Sequence, residues 1–205
     1  MNGMIRRYSD SERINHWIVA ILFILSGLSG LALFHPATSW LTGLFGGGPW
    51  TRVLHPFFGV FTFLAFIAIA LRFWHHNTIN QNDRKWLTMM GDVIANRDAD
   101  YPEVGKYNAA QKLLFWTLVT CMILLFVTGF LFWRPWFAQY FPIGVVRLGA
   151  LVHSLVATVA IIAVIVHIYA AIWVKGAIGG MTTGWVSAKW ARVHHPGWYR
   201  EVTRR

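Results

Sequence analysis

The chain has 205 residues, of which 56% are hydrophobic and only 13% are charged, about half the charged share of a soluble globular domain. Lys and Arg number 18 against 8 Asp and Glu, for a formal net charge of +10, and there are 12 Trp and one Cys. The single Cys excludes a disulfide scaffold, a thiolate-ligated Fe–S protein and a Cys-based zinc module. The apolar load excludes intrinsic disorder, and it makes a membrane rather than nucleic acid the partner of the basic excess.

No charged residue interrupts Trp17–Phe34, Pro56–Leu71, Leu113–Trp133 or Leu148–Val174. A bilayer span needs roughly 20 apolar residues, within about 17 to 25. The stretches therefore predict four transmembrane helices, over about 16–35, 53–74, 112–134 and 148–175. The first follows a charged start without a small-residue cleavage site, so it reads as a retained helix and not a signal peptide. Residues 75–111 form a polar loop too short to be a domain of its own, and 176–205 form a tail. The expected architecture is one membrane domain over 1–205. It is an all-α, up-and-down four-helix bundle with short connections.

Charge sets the orientation. Arg52, Arg134 and Arg147 fall on one side of the four spans. Every other Lys and Arg, Arg97 and Arg205 included, falls with the termini and the 75–111 loop, as do all the acidic residues. By the positive-inside rule both termini are cytoplasmic. The opposite loops, His35–Arg52 and Arg134–Arg147, are rich in Gly, Pro and Trp, which suits an interfacial segment or a partner surface.

Four histidines sit within the spans or at their rims: His16, His55, His153 and His167. Ionisable groups there are costly and by default functional. His153 and His167 lie fourteen residues apart on the last helix. That is roughly 21 Å of rise and about 40° of azimuth, so they share one face at opposite depths. Ala157, Ala160 and Val164 lie between them on that face. His55 matches His153 at the outer depth, and His16 matches His167 at the inner one. Two depth-matched pairs point to two six-coordinate haems b with imidazole on both axial positions. On the first helix, Ala20, Gly27 and Gly30 continue the face of His16. Gly30 falls at the depth of the outer pair, where a missing Cβ admits a porphyrin edge. A zinc or copper site is the weaker reading, because the pairs are a helix length apart. Structural histidines and proton-relay groups are the other readings. A relay calls for acidic residues in the spans, which have none.

Several segments carry a resemblance. Glu12-Arg13-Ile14-Asn15-His16-Trp17 opens the first span, and Leu54-His55-Pro56-Phe57-Phe58-Gly59 the second. Gly105-Lys106-Tyr107-Asn108-Ala109 precedes the third, and Phe132-Trp133-Arg134-Pro135-Trp136-Phe137 follows it. Together with the paired histidines of the fourth span, they resemble the cytochrome b (gamma) subunit of respiratory formate dehydrogenase over nearly the whole chain. This lies within the wider di-haem membrane cytochrome b family. The first and last features are shared with the membrane subunits of nickel–iron hydrogenases and other quinone-linked oxidoreductases, which form the alternative assignment.

The resemblance implies an electron-transfer subunit of an oxidoreductase in the bacterial inner membrane. Formate is oxidised on a partner subunit at a molybdenum or tungsten pterin. An Fe–S subunit passes electrons to the outer haem (His55 and His153), and the inner haem (His16 and His167) reduces menaquinone or ubiquinone. The quinone site implied is Asn108, Ala110 and His167, near the cytoplasmic face. Ala110 stands where the family has Gly, and its methyl narrows the pocket. Asn108 also reads as a cap of the third helix. The chain has no catalytic residues of its own, and Cys121 reads as inert core. Arg72, Arg134 and Arg147 read as topology and headgroup anchors, with haem propionates as the other possible partners. The basic, aromatic tails suit anionic lipid headgroups or the Fe–S subunit.

Overall fold

A computed structural model describes residues 3–95 and 102–204. Arg97 and Arg205 lie outside the described residues, so their sidedness rests on the sequence. In chain order the elements are β1 (Met4–Arg6), α1 (Asp10–Phe34), a 3-10 stretch (Pro36–Phe45), α2 (Gly48–Phe73), a short 3-10 turn (Trp74–Asn77), α3 (Gln81–Thr88), α4 (Met90–Ile94) and α5 (Ala109–Phe132). A 3-10 turn at Ala138–Tyr140 then leads to α6 (Ile143–Trp173), α7 (Ala177–Thr182), β2 (Trp185–Ser187), α8 (Ala188–His194) and α9 (Pro196–Thr203).

Among the described residues, four helices are long and apolar enough to cross a membrane: Asp10–Phe34, Gly48–Asn77, Ala109–Phe132 and Ile143–Trp173. Each begins before its charge-free stretch. In α1 the extra turn comes from a capping box. The Ser9 amide and hydroxyl donate to Glu12 Oε2 at 2.6 and 2.9 Å, while Ser9 Oγ accepts from the Glu12 amide at 3.4 Å. A helix tolerates charge in its first turn, where the bilayer ends. The loop and tail predicted from polarity alone contain short helices. The two strands add a small antiparallel sheet to an otherwise helical chain, with Ile5 opposite Val186.

The chain divides into two compact units. The unit formed by Ile14–Ala70 and Thr117–Val166 holds most of the four long helices. Neighbours within it run antiparallel. Asn15 Nδ2 donates to the Ala65 carbonyl, and Ser26 and Thr62 share a 2.9 Å hydroxyl bond. Phe63 stacks on Phe126 at 4.0 Å, and Phe57 meets Trp133 edge-on. Large aliphatic side chains point outward, with Ile21, Leu64, Leu155 and Ile162 all more than half exposed. In water that would be a severe liability, whereas acyl chains are the solvent such a surface fits.

The other unit comprises Met1–Arg13, Leu71–Trp116 and His167–Arg205. Val186, Ala191 and Trp198 form its small core, packed by Ile5, Trp190, Tyr199 and Val202. Gly184 lets β2 leave α7, because its φ is +88° and a Cβ would lie 2.9 Å from the Tyr8 carbonyl oxygen. Buried Arg7 is the hub. Its Nη2 donates to the Lys106 carbonyl at 2.7 Å and meets His195 Nε2 at 3.2 Å. The rings of Tyr8, Tyr107, Trp190 and Trp198 lie 4.8 to 5.9 Å from its guanidinium carbon. Gly105 O accepts from His195 Nδ1 at 2.9 Å, so the ring is neutral with Nε2 left as acceptor. A second tie is ionic. Lys112 Nζ donates to Asp83 Oδ2 at 2.7 Å and to the Thr78 carbonyl at 3.0 Å, and both charged side chains are buried. Asp83 also accepts from the Asn80 amide, which caps α3.

Two predictions follow from this unit. Asp83→Ala strands the Lys112 ammonium, and unfolding in detergent should show a loss of about 3–5 kcal/mol, with Asp83→Leu/Lys112→Met recovering most of it. Burial first, then the Arg7 charge, pushes His195 down to about 3 from an ordinary 6.5. Between these values the unfolded segment binds more protons than the folded one, so stability rises with pH. The contribution is complete above about 6.5 and is lost as pH falls toward 3. The protection factors of the β1 and β2 amides, with the intrinsic pH dependence of exchange divided out, should therefore fall on acidification, and less so in His195→Asn.

Candidate functional site

Of the four predicted ligands, the structure brings His55 of α2 and His153 of α6 together. Their ring centroids lie 6.2 Å apart, with planes at 77°. Each ring is supported in the same way by a different helix. Ser29 Oγ of α1 lies 2.9 Å from His55 Nδ1, and Thr128 Oγ1 of α5 lies 3.0 Å from His153 Nδ1. The next residue is glycine in both cases. A Cβ on Gly30 would sit 3.1 Å from His55 Cε1, and one on Gly129 would sit 3.6 Å from His153 Cε1. Phe132 adds an edge-on contact to His153 at 5.1 Å.

This geometry fits a haem. Two metal–imidazole bonds of about 2.0 Å, in line through one iron, set ring centres roughly 6 Å apart. Both Nδ1 atoms are engaged, which leaves the Nε2 atoms available to a metal. The glycines provide the close approach that a side chain would block at Gly30. Gly27, also on the predicted small face, has open space beside it. Ala160 is buried on α6. Among the described residues no three His, Cys, Asp or Glu side chains gather into a site that could hold a metal ion.

The remaining candidates lie elsewhere. His16 is half-buried in the same unit as His55, with its ring edge-on to Trp17 at 5.4 Å. His167, Asn108 and Ala110 belong to the other unit. His167 and Ala110 are exposed on α6 and α5. Asn108 caps α5: its Oδ1 accepts from the Gln111 amide at 2.9 Å, and Gln111 Oε1 accepts from the Asn108 amide at 3.0 Å. Its amide nitrogen is not used by this box, so capping and ligand binding are compatible. Arg72 lies 4.0 Å from Glu12, which gives that cation a carboxylate partner from its own chain. Cys121 is buried, as expected of core.

Sequence reasoning found the histidines and Gly30 but missed Ser29, Thr128 and Gly129. The available signal was a hydroxyl–glycine dipeptide, Ser29-Gly30 and Thr128-Gly129, placed 26 and 25 residues before its histidine.

Paired imidazoles among four apolar helices define a multi-pass membrane cytochrome. The family profile described as prokaryotic cytochrome b561 matches residues 7–184, and the chain belongs to that family, which implies haem b and electron transport. Among its relatives is the formate dehydrogenase cytochrome b556(fdo) subunit of Escherichia coli strain K12, 45% identical over 198 residues, covering 97% of this chain and 93% of the relative. The nitrate-inducible formate dehydrogenase cytochrome b556(Fdn) subunit of the same strain is 45% identical over 201 residues, covering 98% and 93%. The formate dehydrogenase cytochrome b556 subunit of Haemophilus influenzae is 43% identical over 195 residues, covering 95% and 82%.

The glycine contacts carry a prediction. Gly30→Val drives a branched side chain into the His55 ring. The purified protein should then lose haem, read as a clear fall in the haem-to-protein ratio. Gly27→Val, with open space beside it, should retain the full ratio.

Proposed function

We propose that this protein is the cytochrome b subunit of a formate dehydrogenase, a single membrane domain over residues 1–205 with both termini in the cytoplasm of a bacterium. The observation that carries the reading is the His55–His153 pair, set at a spacing that suits one six-coordinate iron. Extensive likeness to formate dehydrogenase cytochrome b subunits supports it. It also favours formate over hydrogen as the ultimate electron donor.

When bound, haem b supplies one-electron transfer. His55 and His153 hold the outer haem, and His16 and His167 hold the inner one. The apolar helices around His55 and His153 would keep water from an iron held between them. Asn108, Ala110 and His167 line the quinone site near the cytoplasmic face. The Asn108 amide offers a quinone carbonyl a donor while its carbonyl remains in the helix cap. Reduction of menaquinone or ubiquinone there consumes two electrons and two protons, the protons drawn from the cytoplasm. The partners are an Fe–S subunit on the outer face and a molybdenum- or tungsten-pterin subunit that oxidises formate. Exposed Trp40, Trp50, Trp136 and Tyr140 offer the aromatic surface for docking at that face. The inner membrane is the location that these partners require.

The test is haem counting with formate as reductant. The intact complex should hold two haems b per chain, both reduced by formate. His153→Ala should lose the outer haem and slow haem reduction by formate at least 100-fold. His167→Ala should lose the inner haem together with quinone reduction. A complex without haem, or His167→Ala with both haems and normal quinone reduction, overturns the assignment.

A further inference from the structure

The two supported rings share a hydrogen-bond pattern that their role as ligands does not by itself demand. The Ser29 hydroxyl lies 2.7 Å from the Leu25 carbonyl oxygen and 3.1 Å from that of Ser26. The Thr128 hydroxyl lies 2.6 Å from the Leu124 carbonyl oxygen and 3.4 Å from that of Leu125. A carbonyl oxygen only accepts, so each hydroxyl proton is committed to its own helix. What each hydroxyl offers its histidine is then a lone pair. With each hydroxyl proton turned to its own helix, each Nδ1 is the donor to the hydroxyl lone pair, and a proton on Nδ1 leaves Nε2 bare. Neither ring can turn without breaking these bonds, and Gly30 and Gly129 pack directly against the ring edges.

We propose that Ser29 and Thr128 are paired positioning residues that fix the tautomer, orientation and electron-donating strength of His55 and His153, and so set the reduction potential of the haem between them. This rests on the ligand assignment above. A Nδ1–H that donates to oxygen makes the imidazole a stronger donor at Nε2, which favours ferric over ferrous iron. Because the same device acts on both axial ligands, the outer haem is held at a lower potential than unsupported imidazoles would give. The hydroxyls do not touch the iron or the electron donor. They act through the histidines alone.

The test is a spectroelectrochemical titration of the haems in the detergent-purified complex, with low-spin electron paramagnetic resonance of the oxidised form. The variants are Ser29→Ala, Thr128→Val, Thr128→Ser and the double Ser29→Ala/Thr128→Val. Removing one acceptor should weaken the ferric preference of the outer haem roughly tenfold, the lower end of the usual supporting-residue effect, which is about 59 mV upward for one electron. The inner-haem potential should stay in place, and the outer low-spin signal should shift in g-value as its rings reorient. The double variant should move further than either single one, and Thr128→Ser should stay at the wild-type potential. Loss of the outer haem in Thr128→Val but not in Thr128→Ser also supports the proposal, since only the hydroxyl distinguishes them. Unchanged potentials and g-values in the double variant, with both haems bound, overturn it. So does loss of the outer haem in Thr128→Ser, which would mean that the threonine methyl matters and not the hydroxyl. The underlying ligand assignment fails separately, if His55→Ala and His153→Ala both retain two haems per chain.

Discussion

Much of this structure depends on one constraint: two imidazole rings have to exist inside apolar helices without an unsatisfied polar atom. A buried ring nitrogen with no partner costs about 1–3 kcal/mol, and more in hydrocarbon, where water cannot substitute. The chain meets this with two hydroxyls one residue before two glycines. Ser29 and Thr128 satisfy Nδ1 on His55 and His153, and the glycines admit the rings. Each of the four long helices thus contributes one element to the same locus. α1 and α5 bring the hydroxyls, and α2 and α6 bring the imidazoles.

The other unit answers a different problem. It is rich in charge and aromatic rings, and it organises them around a buried cation. Arg7 is held by a carbonyl, by a histidine nitrogen and by four ring faces, a set that stabilises a guanidinium without a carboxylate in direct contact. This ties together residues far apart in the chain, since Arg7, Lys106 and His195 sit on three separate segments. The Asp83–Lys112 pair does the same for α3 and the start of α5. Basic residues that read in the sequence simply as an orientation signal therefore also have structural work. Arg7 and Lys112 in particular are used to close a small polar fold.

Several features were legible from residues alone. The four spans follow from charge-free runs, and the histidines stand out because little else in those runs is polar. The depth match between His55 and His153 follows from counting residues, and the measured ring spacing agrees with it. Asn108 was readable both as a cap and as a ligand, and its bond to the Gln111 amide establishes the first of these. The β1–β2 pair was not legible. Strands of three residues lack the length to show alternation, and their pairing joins residues near both ends of the chain. Ser29 and Thr128 were equally hidden. A lone hydroxyl in an apolar helix normally bonds its own backbone, as both of these do, and nothing in that habit reveals a second bond to another helix.

The sequence by itself determined a four-span helical membrane protein with paired histidines, because hydropathy and helical rise act locally and can be counted along the chain. Tertiary structure alone decided which nitrogen of His55 and of His153 meets a hydroxyl, since that hydroxyl comes from another helix at hydrogen-bond distance. It also decided that Arg7 is buried rather than solvated, since its partners come from segments that meet only on folding. Composition shows that a polar group lies in an apolar stretch, but only the packed neighbours determine what it can bind.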